Sequence, residues 1–307
     1  MATLGGMFGA GHVESFLGLA RWEGQPVRAV VLGADCATPY ASAGAYCAGG
    51  PAAIRAASGD YAANLGHVNF DLGRVGFDPA DVADGGDVPV DAGDAAGNRA
   101  RIEAAVARVI AAGAVPVLLG GDDSLPIPMI GAFAGRGPVT VLQIDAHIDW
   151  RDEVQGERWG LSSTIRRASE MGHVAGIVQV GQRGIGSARP GDLADAGKRG
   201  VTFVPAAAVA REGIGRALAA IPAGAEVVVV LDCDAIDPAV MPAVIARVPG
   251  GLGYLDVLGL LEGVAERARI AGIAVTEFMP ARDIDGQGAA VAAAIVTTAL
   301  GLIAGRD

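Results

Sequence analysis

Hydrophobic positions along this chain gather in short, nearly unbroken runs, separated by longer stretches in which apolar residues recur every three or four positions. The first kind stands at residues 26–33, 115–119, 139–144, 175–180, 201–204, 226–232 and 270–275, with a weaker example at 67–71. Apolar runs this short, bounded by turn residues, form strands buried on both faces. The second kind predicts helices at 52–58, 97–112, 125–133, 164–171, 206–221, 254–268 and 286–303. In the 97–112 segment the stripe is Ile102, Ala105, Val106, Val109 and Ile110, one face of a 3.6-residue repeat. A glycine-rich loop, 41–51, precedes the first helix, and Pro51 suits that helix's first turn because the N–H it lacks would have no partner there. The Asp- and Gly-rich stretch 78–87 reads as a polar connection.

About eight apolar strands, mostly separated by helices, argue for an α/β protein with a parallel sheet covered by helices on both faces. Neither an internal repeat nor a Pro/Ser-rich linker interrupts the pattern, so residues 1–307 are expected to form a single domain. A hydrophobic content of 51% supplies a large core. The net charge of -11 leaves no basic patch for phosphate backbones, so a nucleic-acid partner is not expected. The first residues lack a cationic stretch followed by an apolar one, and no apolar run approaches the ~20 residues that span a bilayer. A cytoplasmic protein without a membrane partner is expected. Cys36, Cys47 and Cys233 form no C-x-x-C pair and read as small buried hydrophobes in a reducing compartment.

In a parallel sheet, ligands bind beyond the carboxyl ends of the strands. The unusual polar residues fall there. Asp122 and Asp123 follow one strand, Asp145, His147 and Asp149 end another, Asp232, Asp234 and Asp237 a third, and Glu277 follows the last. Alternate residues of an extended strand share a face, so Asp145, His147 and Asp149 converge if the strand persists or curls. Taken singly, each has a plain alternative: a polar loop for Asp-x-His, a helix cap for Asp123, an exposed loop acid for Glu277. Taken together they need a positive partner, because a core does not accept this many uncompensated carboxylates. No Lys or Arg is interleaved at these strand ends. A divalent cluster is the natural compensator, and oxygen donors with one imidazole suit Mn²⁺ better than zinc. Cys233, between Asp232 and Asp234, falls on the opposite face and reads as packing.

These segments resemble the signatures of the ureohydrolases, the family of arginase and agmatinase. They are Gly120-Gly-Asp-x-Ser124, Asp145-Ala-His-x-Asp149 and Asp232-x-Asp-x-x-Asp-Pro238. Gly50-Pro-x-x-Ile-Arg55, Gly181-Gln-Arg-Gly184 and Glu277-x-x-Pro280 extend the likeness, in family order, over most of the chain. The resemblance implies a three-layer α/β/α fold around a mainly parallel eight-stranded, arginase-like sheet. It implies hydrolysis of a small guanidino substrate, agmatine-like, to urea and an amine by two Mn²⁺ ions, with Ni²⁺ or another divalent metal in their place as an alternative. It also implies a homo-oligomer, a trimer or hexamer. Carried over by position, Asp145 and Asp232 bridge both metals. Asp149 completes one site with Asp123 as its fourth ligand, and His147 and Asp234 complete the other. Glu277 resembles the acid that pairs with the substrate guanidinium, so Asp145, Asp232 and Glu277 are the expected catalytic residues.

Three departures from the family pattern stand beside this. Asp123 occupies the usual histidine position, so the expected shell is five aspartates and one histidine, -5 against the +4 of two divalent ions. Extra ligand charge weakens Lewis acidity unless surrounding groups compensate. Trp159-Gly160 stands where the family has a proton-shuttling His-Gly pair; Trp159 joins Glu277 as a substrate-binding candidate but cannot carry the proton. Val244-Ile-Ala-Arg247 replaces the usual Thr-Gly-Thr-Pro at the substrate rim. Two alternative functions follow: a catalytically weakened paralogue serving as ligand-binding or partner subunit, and a hydrolase of another amidine or imine. His12, His67 and His173 read as structural.

Overall fold

The protein is described by a computed structural model covering residues 11–305. Its strands, in chain order, are β1 (Ala29–Ala34), β2 (Val68–Asn69), β3 (Arg74–Val75), β4 (Val82–Asp87), β5 (Val115–Gly120), β6 (Val139–Ile144), β7 (Val174–Val180), β8 (Thr202–Val204), β9 (Glu226–Asp232) and β10 (Arg269–Thr276). Eight of them form one sheet in the order β4-β1-β5-β10-β9-β6-β7-β8, and every neighbouring pair in it is parallel.

Because strand side chains alternate, the sheet divides its apolar residues between two cores. Val31, Leu119, Ile144 and Val229 face one, where α1 (Gly50–Ala62), α8 (Tyr254–Arg267) and α9 (Gln287–Ala304) pack. Val30, Leu118, Val141 and Val230 face the other, covered by α2 (Ala95–Ala111), α3 (Pro126–Gly131) and α4 (Thr164–Ala168). The shorter helices α5 (Pro190–Lys198), α6 (Ala206–Glu212) and α7 (Gly215–Ala219) flank β7, β8 and the start of β9 in the chain. This is the expected three-layer arginase-like architecture.

Five elements differ from the sequence expectation, the first being α5 (Pro190–Lys198), where no helix was expected. The 78–87 stretch is not a loop: its second half is the edge strand β4, whose glycines and acids hide the apolar signal. It is tied down by Asp84, which is fully buried and paired with Arg55 at 2.7 Å. The 67–71 strand belongs to a separate two-stranded hairpin, β2–β3, so the eighth strand of the sheet is β4. The 206–221 helix breaks into α6 and α7 at Gly213, whose φ of +73° is left-handed. Among the described residues α9 is long and apolar enough to cross a membrane, against the expectation of no such run, but most of it is buried between α1 and α8 as a core helix.

The strand order sets up the site. The strands followed by acids (β5, β10, β9 and β6) are four consecutive central strands. All run the same way, so their carboxyl ends open onto one crevice.

Candidate metal centre and active site

At the end of β6 the chain leaves extended geometry while keeping its acids on one side. Asp145 is fully buried, and its Oδ1 accepts the His147 backbone N–H at 2.5 Å. The turn places His147 Nδ1 3.0 Å from Asp234 Oδ2 and 3.4 Å from Asp145 Oδ1. Asp234 reaches this point because β9 ends in a single 3₁₀ turn, in which Asp232 Oδ1 accepts the Asp234 N–H at 2.7 Å. Asp149 and Glu277 adopt left-handed φ values of +41° and +62°. That conformation costs a residue with a Cβ about 1–2 kcal/mol, and such strain collects at functional sites.

Two overlapping groups of potential ligand atoms result, Asp145/His147/Asp234 and Asp123/Asp145/Asp149, each with its atoms within 4.8 Å of one another. Asp145 is common to both, which is the geometry of a bridging ligand. Asp232 lines the same cavity beside them. Asp123 does not cap α3, whose N-cap is Leu125. Its Oδ1 accepts the Thr276 hydroxyl at 2.9 Å, and its buried Oδ2 has no partner. Glu277 is not an exposed loop acid but 3% exposed. Its Oε1 accepts Tyr46 Oη–H at 2.5 Å and the Asp123 N–H at 2.9 Å, leaving Oε2 for a ligand.

The side chains alone are electrostatically frustrated. Burial, then the charge of Asp145, raises Asp123 and Asp149 well above the usual carboxylate range. Burial, then Asp234 and Asp145, does the same to Asp232. Burial alone would push His147 down, but its hydrogen bonds to Asp145 and Asp234 and their charge outweigh it, raising the imidazole to about 11. Glu277 is raised to about 8, chiefly by burial, with Tyr46 holding it back. A set of carboxylates that must keep protons to coexist is one that cations would satisfy.

The cavity above this floor has a volume of about 200 Å³. Its rim carries Arg151 paired with Asp192 at 2.9 Å, together with Ser162 and Ile245. The sequence candidates therefore separate. Asp123, Asp145, His147, Asp149, Asp232, Asp234 and Glu277 come together. Trp159 does not line the cavity: it is 39% exposed, with the Arg99 guanidinium stacked 5.3 Å from its ring. Asp122 turns back onto Ser124, and Asp237 closes the loop to Gly250 and Gly251. A second cavity of about 330 Å³, between Tyr61, Phe77 and Tyr254, lies on the hairpin side and holds none of the acid constellation.

Sequence reasoning missed Tyr46, Thr276, Gln143 and the Arg151–Asp192 pair. Tyr46 is 231 positions from Glu277 and gave no signal. Gln143 could have been found, because the alternation that aligns 145, 147 and 149 includes it.

The fold and this carboxylate-rich centre define an α/β protein whose side chains fit two adjacent divalent cations: four carboxylates and one imidazole in two groups that share Asp145, an orphaned buried oxygen, and Asp232, which belongs to neither group but lines the same cavity. The profile of the arginase family matches residues 27–301. The chain belongs to the arginase family, whose members are hydrolases of amidino C–N bonds that depend on a binuclear metal centre.

It is 35% identical over 221 residues to the N(1)-aminopropylagmatine ureohydrolase of Thermus thermophilus, covering 70% of this chain and 71% of that one. It is 34% identical over 186 residues to the mitochondrial arginase 1 of Arabidopsis thaliana, covering 59% of this chain. That match spans 53%, about half, of the plant enzyme's length. The proclavaminate amidino hydrolase of Streptomyces clavuligerus has a similar structure, with a TM-score of 0.84 at 27% identity over 96% of this chain and 98% of that one.

Proposed function

We propose that this arginase-family hydrolase cleaves a small guanidino compound to urea and an amine. The observation that carries the reading is the pair of ligand groups sharing Asp145, with Glu277, whose hydrogen bonds fall on Oε1, lining the same cavity. When bound, two divalent cations supply Lewis-acid activation of water. Mn²⁺ is the expected cation from the oxygen-rich donor set, with Ni²⁺ as the alternative.

The chain's own residues do the rest. The acidic floor draws the guanidinium inward, and Glu277 accepts its N–H groups in charge-assisted hydrogen bonds that orient the planar carbon. Water adds to that carbon and the bond to the substituted nitrogen breaks. One water is consumed, and both its protons end on the departing amine, which leaves as an ammonium ion. Trp159 cannot relay a proton, so the family's shuttle position supplies no proton-transfer group in this chain. Support for a guanidino substrate includes the N(1)-aminopropylagmatine ureohydrolase and arginase relatives. A homo-oligomer, trimer or hexamer, accords with the family.

Metal analysis of the purified chain and a urea-release panel of agmatine, arginine and guanidino acids test the reading; it fails if no member releases urea after Mn²⁺ or Ni²⁺ loading. The aspartate at position 123 favours one second reading, a weakened paralogue that acts as a partner subunit. Under it, the wild type releases no urea from any member of the panel, and activity emerges only in variants that restore an imidazole at position 123 (Asp123→His).

A further inference from the structure

Two amides lie buried in the middle of the sheet where valine or isoleucine would pack. Gln143 and Gln179 are both fully buried, and the β6–β7 register sets them directly opposite each other. Their neighbours along the strands, Leu142, Ile144, Val178 and Val180, are all buried apolar residues. An amide without partners in such a place costs about 1–3 kcal/mol. Packing alone does not explain two of them.

Their hydrogen bonds do. Gln143 Nε2 donates one proton to Asp145 Oδ2 and the other to Asp149 Oδ2, both at 2.6 Å. Gln143 Oε1 accepts from Gln179 Nε2, which also donates to the Ile148 carbonyl at 3.0 Å. This chain of bonds fixes the amide orientation. Turned over, Gln143 would set its oxygen against two carboxylates and its NH₂ against the NH₂ of Gln179.

Resting on the metal-centre reading above, we propose that Gln143, held by Gln179, is a positioning residue for the centre. Its one amide nitrogen ties the shared ligand Asp145 to Asp149 and dictates which oxygen of each is left for a cation. It also draws charge from two of the five carboxylates. That compensates part of the extra negative charge brought by Asp123, whose own Oδ1 receives the Thr276 hydroxyl. An amide is suited to this place: it gives two donors to two acids and adds no charge beneath a cation site.

The test titrates Mn²⁺ alone into metal-free full-length wild type, Gln143→Met and Gln179→Met, by competition with a chelating indicator. Thermal midpoints of the metal-free chains and the Mn²⁺ electron paramagnetic resonance spectrum are recorded alongside. Gln143→Met keeps the side-chain volume and removes both donors. The expected result is a roughly ten- to hundredfold loss of Mn²⁺ affinity, the usual size for an outer partner of a ligand. The metal-free midpoint falls modestly, because two carboxylates and Gln179 Nε2 lose a partner. The coupled two-manganese signal gives way to that of isolated Mn²⁺, which a loss of packing alone would not produce. Gln179→Met is expected to show the same pattern to a smaller degree.

Wild-type uptake of two Mn²⁺ with unchanged affinity in Gln143→Met overturns the inference alone. A wild type that takes up no divalent ion overturns the metal centre itself. Should Gln143→Met fail to fold, Gln179→Met decides: wild-type affinity and an unaltered coupled signal in that variant overturn the proposal.

Discussion

Removing divalent ions should invert the way this protein's stability responds to pH. The side chains alone hold Asp123, Asp149 and Asp232 well above the ordinary aspartate value of 3.8, by burial first and by mutual repulsion second. His147 is held at about 11 against an ordinary 6.5, its two carboxylate partners outweighing burial. All four shifts mean that the native chain keeps protons which the unfolded chain releases. Stability from such groups is present in full below the unfolded value and drains away as pH rises toward the native one. Each retained proton makes stability fall by about 1.4 kcal/mol per pH unit. Counting only one, the loss between about pH 5.5 and about pH 7.5 is roughly 2.7 kcal/mol. For a chain of this size that lowers the thermal midpoint by roughly 4 °C.

Bound cations replace those protons, so the stabilisation they bring grows with pH. Mn²⁺ at a hundred times its dissociation constant contributes about 2.7 kcal/mol, enough to offset the whole loss. Thermal melts in chelator and in Mn²⁺ across this range measure both curves. A chelated midpoint that stays flat or climbs between the two pH values, or an Mn²⁺ increment that is the same at each, would refute the electrostatic reasoning.

Other expectations concern single side chains. Asp145→Asn removes the ligand common to both groups; urea release should vanish, and metal content should fall below two ions per chain by elemental analysis. Glu277→Gln should leave metal content unchanged while lowering kcat/KM for a guanidinium substrate about ten- to hundredfold, the worth of one hydrogen bond to a charged group. Tyr46→Phe, which removes only the donor to Glu277 Oε1, should lower it less. Gly121→Ala places a Cβ 2.4 Å from the Asp35 carbonyl oxygen. Overpacking against backbone costs about 1–3 kcal/mol, so its melting temperature should drop, with weaker metal binding because the displaced loop carries Asp123.

Much of the centre was legible in the order of residues along the chain. Asp145, His147 and Asp149 alternate on one strand end, and alternation is a local steric property that survives any tertiary arrangement. The apolar runs of β5, β6, β9 and β10 were equally plain, because a strand buried on both faces has no polar phase to confuse it. β4 escaped notice for the opposite reason: an edge strand of Gly and Asp is held by its neighbours, with Asp84 anchored to Arg55, and not by its own composition. Trp159, placed near the substrate by its position in the chain, stands outside the cavity with its ring half-exposed against Arg99, a placement set by the loop's path and not by local sequence.

What the residues determined by themselves was the chemistry available, five carboxylates and an imidazole at strand ends with no cation among them. Only the tertiary structure decided how that chemistry is divided. The sheet order inserts β10 between β5 and β9, which brings Glu277 beside Asp123 and within reach of Tyr46. The β6–β7 register sets Gln179 under Gln143, and through it fixes Asp145 and Asp149. Strand order and register arise from packing across long crossovers between residues far apart in the chain. No local period records them.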